Sequence, residues 1–155
     1  MNRAAELVIR LMASGQTVAT CESLTGGLIG AEITSIPGAS RVYRGGLITY
    51  ATELKHLLAG VDPAVLRTEG PVAESTVRQM AVGARQRCGA DWGIGVTGVA
   101  GPDLQGGHSA GTVWVGLAGP DGAVVTELFD FGGDRSRIRE QTVSAAINAL
   151  LARLG

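Results

Sequence analysis

Residues 17–33 read TVATCESLTGGLIGAEI: an apolar run, a polar cluster, a pair of glycines and a second apolar run. Thr17 to Cys21 predicts a short buried strand, and the segment near 26–35 predicts a helix closed by Ile36-Pro37-Gly38. A strand that feeds a helix through so short a connection commits the chain to βα units, and so to a sheet with helices on its faces. The same punctuation recurs along the chain. Its 24 glycines are about twice the usual share and show no period, which excludes fibrous folds. They break apolar runs as tight βα turns do.

The remaining segments extend this pattern. Ala4, Leu7, Val8, Leu11 and Met12 have helical spacing over 2–14, ended by Gly15. Arg44 to Tyr50 reads as a strand, 52–59 as a helix stopped by Gly60, and Asp62-Pro63 as the start of another short helix. Glu74 to Cys88 is a longer helix. Asp91 to Thr97 is a glycine-rich buried strand, and 112–118 and 123–131 flank Gly119-Pro120-Asp121-Gly122 as a hairpin. A helix over 134–154 follows, with Ile138, Val143, Ile147, Leu150 and Leu154 on its apolar side. We expect one domain over 1–155: a three-layer α/β/α sandwich with a mixed, mostly parallel sheet.

Composition narrows the function classes. Hydrophobic residues make up 45% of the chain but aromatics only 4%, so the core is aliphatic. A net charge of −1 argues against the basic surface that nucleic acid needs. Arg3, Glu6 and Arg10 interrupt any signal-peptide core, and no apolar stretch approaches a membrane span. Cys21 and Cys88, the only cysteines, lack disulfide-scaffold or metal-site spacing. The expectation is a cytoplasmic protein with reduced thiols and no membrane or nucleic-acid partner. The aliphatic, glycine-lined character would permit a homodimer.

Several chemistries find no support. There is no Gly-Lys-Ser/Thr phosphate loop and no Gly-x-Gly-x-x-Gly opening a helix after the first strand. His56 and His108 stand alone, without a second ligand at metal spacing or an orienting acid, so neither a metal nor a serine–histidine pair is expected. Ser23, between strand and helix, sits where backbone N–H groups favour developing negative charge and could serve as a nucleophile; capping of the helix by Ser23 or Thr25 is the commoner use of such residues. Lys55 is the single lysine against twelve arginines. A desolvated lysine can give up its proton and act as a base where arginine cannot; a solvated position on its helix is the plain alternative.

Five segments occur together in order and spacing: ESLTGG at 22–27, GGLITYATELK at 45–55, GVTGVAGP at 95–102, GTVWVGLA at 111–118 and GDRSRIREQ at 133–141. In these the chain resembles the CinA C-terminal domain family, over roughly residues 3–153. The free-standing members of that family are nicotinamide-nucleotide amidases. The resemblance implies an α/β/α sandwich that hydrolyses the carboxamide of nicotinamide mononucleotide to nicotinate mononucleotide and ammonia, without metal or cofactor. It matches the nucleophile to Ser23, the lysine base to Lys55 and a tyrosine to Tyr50, which would orient Lys55 or relay its proton. The glycine-loop threonine is matched to Thr97.

N–H groups around Leu24 to Gly27 are candidate oxyanion donors, and Glu22, Thr25, Gly26 and Gly27 candidate substrate contacts, with Glu22 holding either Lys55 or the ribose. The loop Gly98–Gly101 and the arginines Arg139 and Arg135 are candidates for the phosphate. The chain departs from the family pattern at Leu24, at Tyr50-Ala51-Thr52 before the lysine helix, and at Ser109-Ala110 after an altered loop 103–108. Two-domain relatives carry an upstream molybdopterin-binding-like domain. A competence- or damage-associated interaction module without turnover is the other reading, but it would not need Ser23, Tyr50 and Lys55 together.

Overall fold

The computed structural model describes residues 2–155. It has the order α1 (Arg3–Ser14), β1 (Val18–Glu22), α2 (Leu28–Thr34), a 3-10 turn (Ala39–Arg41), β2 (Tyr43–Ile48), α3 (Thr52–Ala59), α4 (Pro63–Thr68), α5 (Glu74–Cys88), β3 (Trp92–Gly98), β4 (Thr112–Ala118), β5 (Val124–Asp130) and α6 (Arg135–Leu151). The five strands form one mixed sheet in the order β2-β1-β3-β4-β5. β1 pairs in parallel with β2 and β3, while the β3–β4 and β4–β5 ladders are antiparallel. Four of the five strands therefore run in one direction, and the ladders divide evenly between the two kinds.

Local chemistry sets the element ends. The Asn2 side chain accepts from the N–H of Ala4 at 2.7 Å and opens α1, and Gly15, at φ 67°, closes it. Asp134 caps α6 by accepting from Arg137 N–H. The hairpin anticipated at 119–122 closes with Gly119 N–H on the Ala123 carbonyl at 2.9 Å. Two boundaries shift in a way that matters for the site. The first βα helix begins at Leu28 rather than 26, and β2 ends at Ile48, so Thr49 and Tyr50 have already left the sheet.

Helices α1, α2 and α6 cover one face of the sheet and α3, α4 and α5 the other. The first face holds the large aliphatic core, including Leu7, Leu11, Ile33, Ile94, Ile138 and Leu150. The second is thinner and built from small residues such as Ala19, Cys21 and Ala84 around Met80. The glycines of β3 explain that thinness. A Cβ at Gly93 would stand 2.1 Å from the Ala81 carbonyl oxygen, and one at Gly95 2.8 Å from Ala81 N. The backbone of α5 thus rests directly on the strand, a closeness only glycine allows. The glycines of DWGIGVT serve packing here, not turning.

The topology places the site. From β1 the chain crosses through α2 to β2 on one side, then through α3–α5 on the opposite face to β3 on the other side. The carboxyl ends of β1 and β3 therefore flank a topological switch point, where open α/β sheets leave a crevice.

Candidate active site

Alternation along β1 sends successive side chains to opposite faces. Ala19 and Cys21 join the core under α5, whereas Thr20 and Glu22 turn toward α2. Glu22 is 1% exposed. Its Oε1 accepts from Thr25 Oγ1 (2.7 Å), Ile29 N–H (2.9 Å) and Gly27 N–H (3.2 Å), and its Oε2 from Gly30 N–H (3.0 Å) and Thr20 Oγ1 (3.2 Å). A carboxylate met by five donors at a helix N-terminus is a buried cap, favoured by the orphan N–H groups and the helix dipole. The expectation that Glu22 would hold Lys55 or a ribose is corrected: its acceptor capacity is spent on α2, on the far side of the strand from Lys55.

Ser23 follows as the chain leaves the sheet. The turn behind it closes with Gly26 N–H on the Ser23 carbonyl at 3.0 Å, and Gly26 and Gly27 take φ values of 56° and 107°. Arg139 then fastens the turn from outside, with Nε on the Leu24 carbonyl at 2.9 Å and Nη2 on that of Thr25 at 3.2 Å. Thr25, Gly26, Gly27 and Arg139 thus shape the loop and do not line the cavity beside Ser23. The N–H groups of Gly26 and Gly27 are taken by Ser23 and Glu22. Those of Leu24 and Thr25 donate to nothing among the described residues, and so the candidate oxyanion donors narrow to these two.

Lys55 enters from α3. It is 1% exposed, and its Nζ donates to Ser23 Oγ at 3.0 Å and to the Thr49 carbonyl at 2.6 Å, with the Tyr50 carbonyl at 3.5 Å. Among the described residues every ion pair lies on α1 or α5, so no carboxylate pairs with this amine. Burial lowers its pKa from 10.5 to about 8. The nearby Cys21 thiol is pushed up to about 11, also by burial, and stays neutral. Thr49, for which the sequence offers no signal, supplies through its backbone the closest acceptor for Lys55.

This burial has a signature in stability. Unfolded chain holds the lysine proton up to about pH 10.5, whereas the folded protein releases it near 8. Between those values the unfolded state binds more protons, and stability must rise with pH. Urea unfolding of wild type and Lys55→Met at a series of pH values should show their difference constant below about 8. It should then move in favour of wild type by up to about 3 kcal/mol toward 10.5. A difference that stays flat throughout would mean that Lys55 is hydrated in the folded state.

Ser23 and Lys55 share a cavity of about 400 Å³ with Tyr50, Thr97, the loop from Gly98 to Gly101, and Arg135. Thr97 is buried, and its hydroxyl donates to the Pro71 carbonyl at 2.7 Å. Tyr50 departs from its expected task of orienting Lys55 or relaying its proton: the phenol is exposed and accepts from Arg135 Nη2 at 3.3 Å, and it is the Tyr50 carbonyl that lies near Nζ. Arg135 also donates from Nη1 to the Gly101 carbonyl at 2.6 Å and spans the mouth. Arg135 and Arg139 lie one turn apart on α6, and the cavity takes the former. In the loop the N–H groups of Ala100 and Gly101 have no partner among the described residues.

Among the described residues no three His, Cys, Asp or Glu side chains gather where a metal ion could sit, and His56 Nδ1 pairs with the Val61 carbonyl at 2.9 Å. No helix among them is long and apolar enough to cross a membrane.

Comparison with known proteins agrees with this architecture. A family model described as the CinA C-terminal domain matches residues 2–154. A CinA-like protein of Frankia casuarinae is 46% identical over 138 residues, which are 89% of this chain and 32% of that protein. A CinA-like protein of Synechocystis is 45% identical over 145 residues, 90% of this chain and 34% of that one. The chain thus spans about a third of the length of these curated relatives. Among solved structures, the competence/damage inducible protein CihA from Agrobacterium tumefaciens is 35% identical with a TM-score of 0.90, over 98% of this chain and 96% of that one. The competence or damage-inducible protein from Enterobacter asburiae reaches 0.94 at 31% identity and covers 100% of both chains. On sequence and fold alike, this chain belongs to the CinA C-terminal domain family.

Proposed function

We propose that the chain hydrolyses the carboxamide of nicotinamide mononucleotide to nicotinate mononucleotide and ammonia, with Ser23 as nucleophile and Lys55 as its base. The observation that carries this reading is the buried amine of Lys55, 3.0 Å from Ser23 Oγ in the wall of a cavity and without a carboxylate partner. An amide is a poor electrophile with a poor leaving group, so its cleavage needs a nucleophile, a proton shuttle and oxyanion donors together.

In its neutral form Lys55 keeps one N–H on the Thr49 carbonyl and turns its lone pair to the Ser23 hydroxyl, which then donates to it. Ser23 Oγ attacks the carboxamide carbon as its proton passes to Nζ. The oxyanion meets the N–H groups of Leu24 and Thr25, on the loop that Glu22, Gly26, Gly27 and Arg139 hold in shape. The ammonium of Lys55 returns the proton to the departing nitrogen, and ammonia leaves. Water, deprotonated by the same amine, then cleaves the ester and frees Ser23. Arg135 and the unpaired N–H groups of the 98–101 loop suit the substrate phosphate, and Thr97 has lone pairs left to accept from the carboxamide nitrogen.

Ammonia release from nicotinamide mononucleotide tests the reading. The rate should climb with pH and level off above about 8, because only the neutral amine can accept the serine proton and burial holds its pKa there. Dialysis against a chelator should leave the rate unchanged. A folded protein that releases no ammonia, or one whose activity zinc alone restores, would overturn it.

A further inference from the structure

Tyr50 is unusual for a residue at the edge of a buried reaction site: 62% of its surface meets solvent. It is one of only six aromatic residues in the chain and the one aromatic side chain in the cavity lining. Its backbone carbonyl faces the proposed base, but its hydroxyl is engaged elsewhere. The carbonyl lies 3.5 Å from Lys55 Nζ, and the hydroxyl accepts from Arg135 at 3.3 Å. With the hydroxyl engaged by Arg135, the ring is the part of the side chain left to meet a ligand. The lining also includes the acidic residue Asp103.

An aromatic face carries negative potential, and it attracts a flat cation stacked on it more than a neutral ring of the same shape. We infer that Tyr50 serves the substrate through its ring rather than its hydroxyl, as the wall on which a positively charged pyridinium ring lies, and that the site thereby selects the cationic ring over an uncharged one. The identity of the ligand rests on the amide hydrolysis proposed above; the selection itself does not depend on turnover. Tyr50 is then a substrate-positioning residue, and proton transfer is left to Lys55.

Two nucleotides isolate the effect: nicotinamide mononucleotide and its 1,4-dihydro form, which keeps phosphate, ribose and carboxamide but has no ring charge. Both are titrated calorimetrically into Ser23→Ala protein, in which neither is consumed, and into the same protein carrying Tyr50→Phe or Tyr50→Leu. Exposure of Tyr50 lets both side chains replace it without disturbing the core, and thermal melts confirm folding. The cationic form should bind about three- to thirtyfold more tightly with Tyr or Phe at position 50, and the ratio should fall to about one with Leu. Equal binding of the two forms with Tyr50 present, no binding of either, or a preference that survives Tyr50→Leu would overturn the inference. A preference lost equally in Tyr50→Phe would move the role to the hydroxyl and overturn it as well. Ammonia release by the Ser23 protein is read separately, so hydrolysis and ring selection can fail independently.

Discussion

Ser23→Ala and Lys55→Arg will each lower ammonia release by about a thousandfold or more while the protein remains folded. Removing the hydroxyl leaves binding groups and oxyanion donors in place with nothing to attack the carboxamide carbon, and costs the loop no more than about 1 kcal/mol. Lys55→Arg is the sharper of the two. It keeps the positive charge and most of the stem, but a guanidinium stays protonated at every working pH. If Lys55 acted only as a fixed charge or a phosphate contact, arginine would preserve much of the rate. As the base, Lys55→Arg will be as inactive as Lys55→Ala at every pH, and addition of a small primary amine will restore more activity to the alanine form than to the arginine form. Arginine activity within about tenfold of wild type, with an unchanged pH profile, would remove Lys55 from proton transfer.

Glu22→Ala will be the most destabilising single change near the site, at about 3–5 kcal/mol. It strips the acceptor from the N–H groups of Gly27, Ile29 and Gly30 and from the Thr20 and Thr25 hydroxyls, in a place water does not reach. Glu22→Gln keeps the shape but turns an amide toward donors, so it will recover only part of the loss. Urea midpoints will report both, provided the slope of the transition is unchanged. A Glu22→Ala protein within about 1 kcal/mol of wild type would show that α2 can cap itself. Activity should fall too, since Leu24 and Thr25 hang from the loop this carboxylate secures.

The two sides of Glu22 illustrate what the sequence could and could not say. Period-2 alternation in TVATCE already puts Glu22 and Cys21 on opposite faces, and Ser23 on the face of Cys21. What alternation cannot tell is which helix covers which face, and so the sequence leaves the carboxylate to Lys55 or the ribose and does not point to α2. The same limit applied to α6. The spacing of Arg135 and Arg139 puts both on one helical face, but only packing decides that the first reaches the cavity and the second the loop backbone. The elements themselves are legible because glycine, proline and aliphatic periodicity punctuate them cleanly; the expected strand runs to Tyr50, two residues past the observed end of β2 at Ile48, because Thr49 and Tyr50 still look like strand. Gly93 and Gly95 were read correctly as lying in a strand, but the helix backbone that requires them comes from another part of the chain.

The contact between Arg139 and the loop behind Ser23 joins points 115 and 114 residues apart. A chain made on the ribosome exposes Ser23 long before it exposes Arg139. Until α6 emerges and docks, the Leu24 and Thr25 carbonyls have no guanidinium to hold them. The loop behind the proposed nucleophile is therefore fastened from outside only after the chain has been made as far as α6.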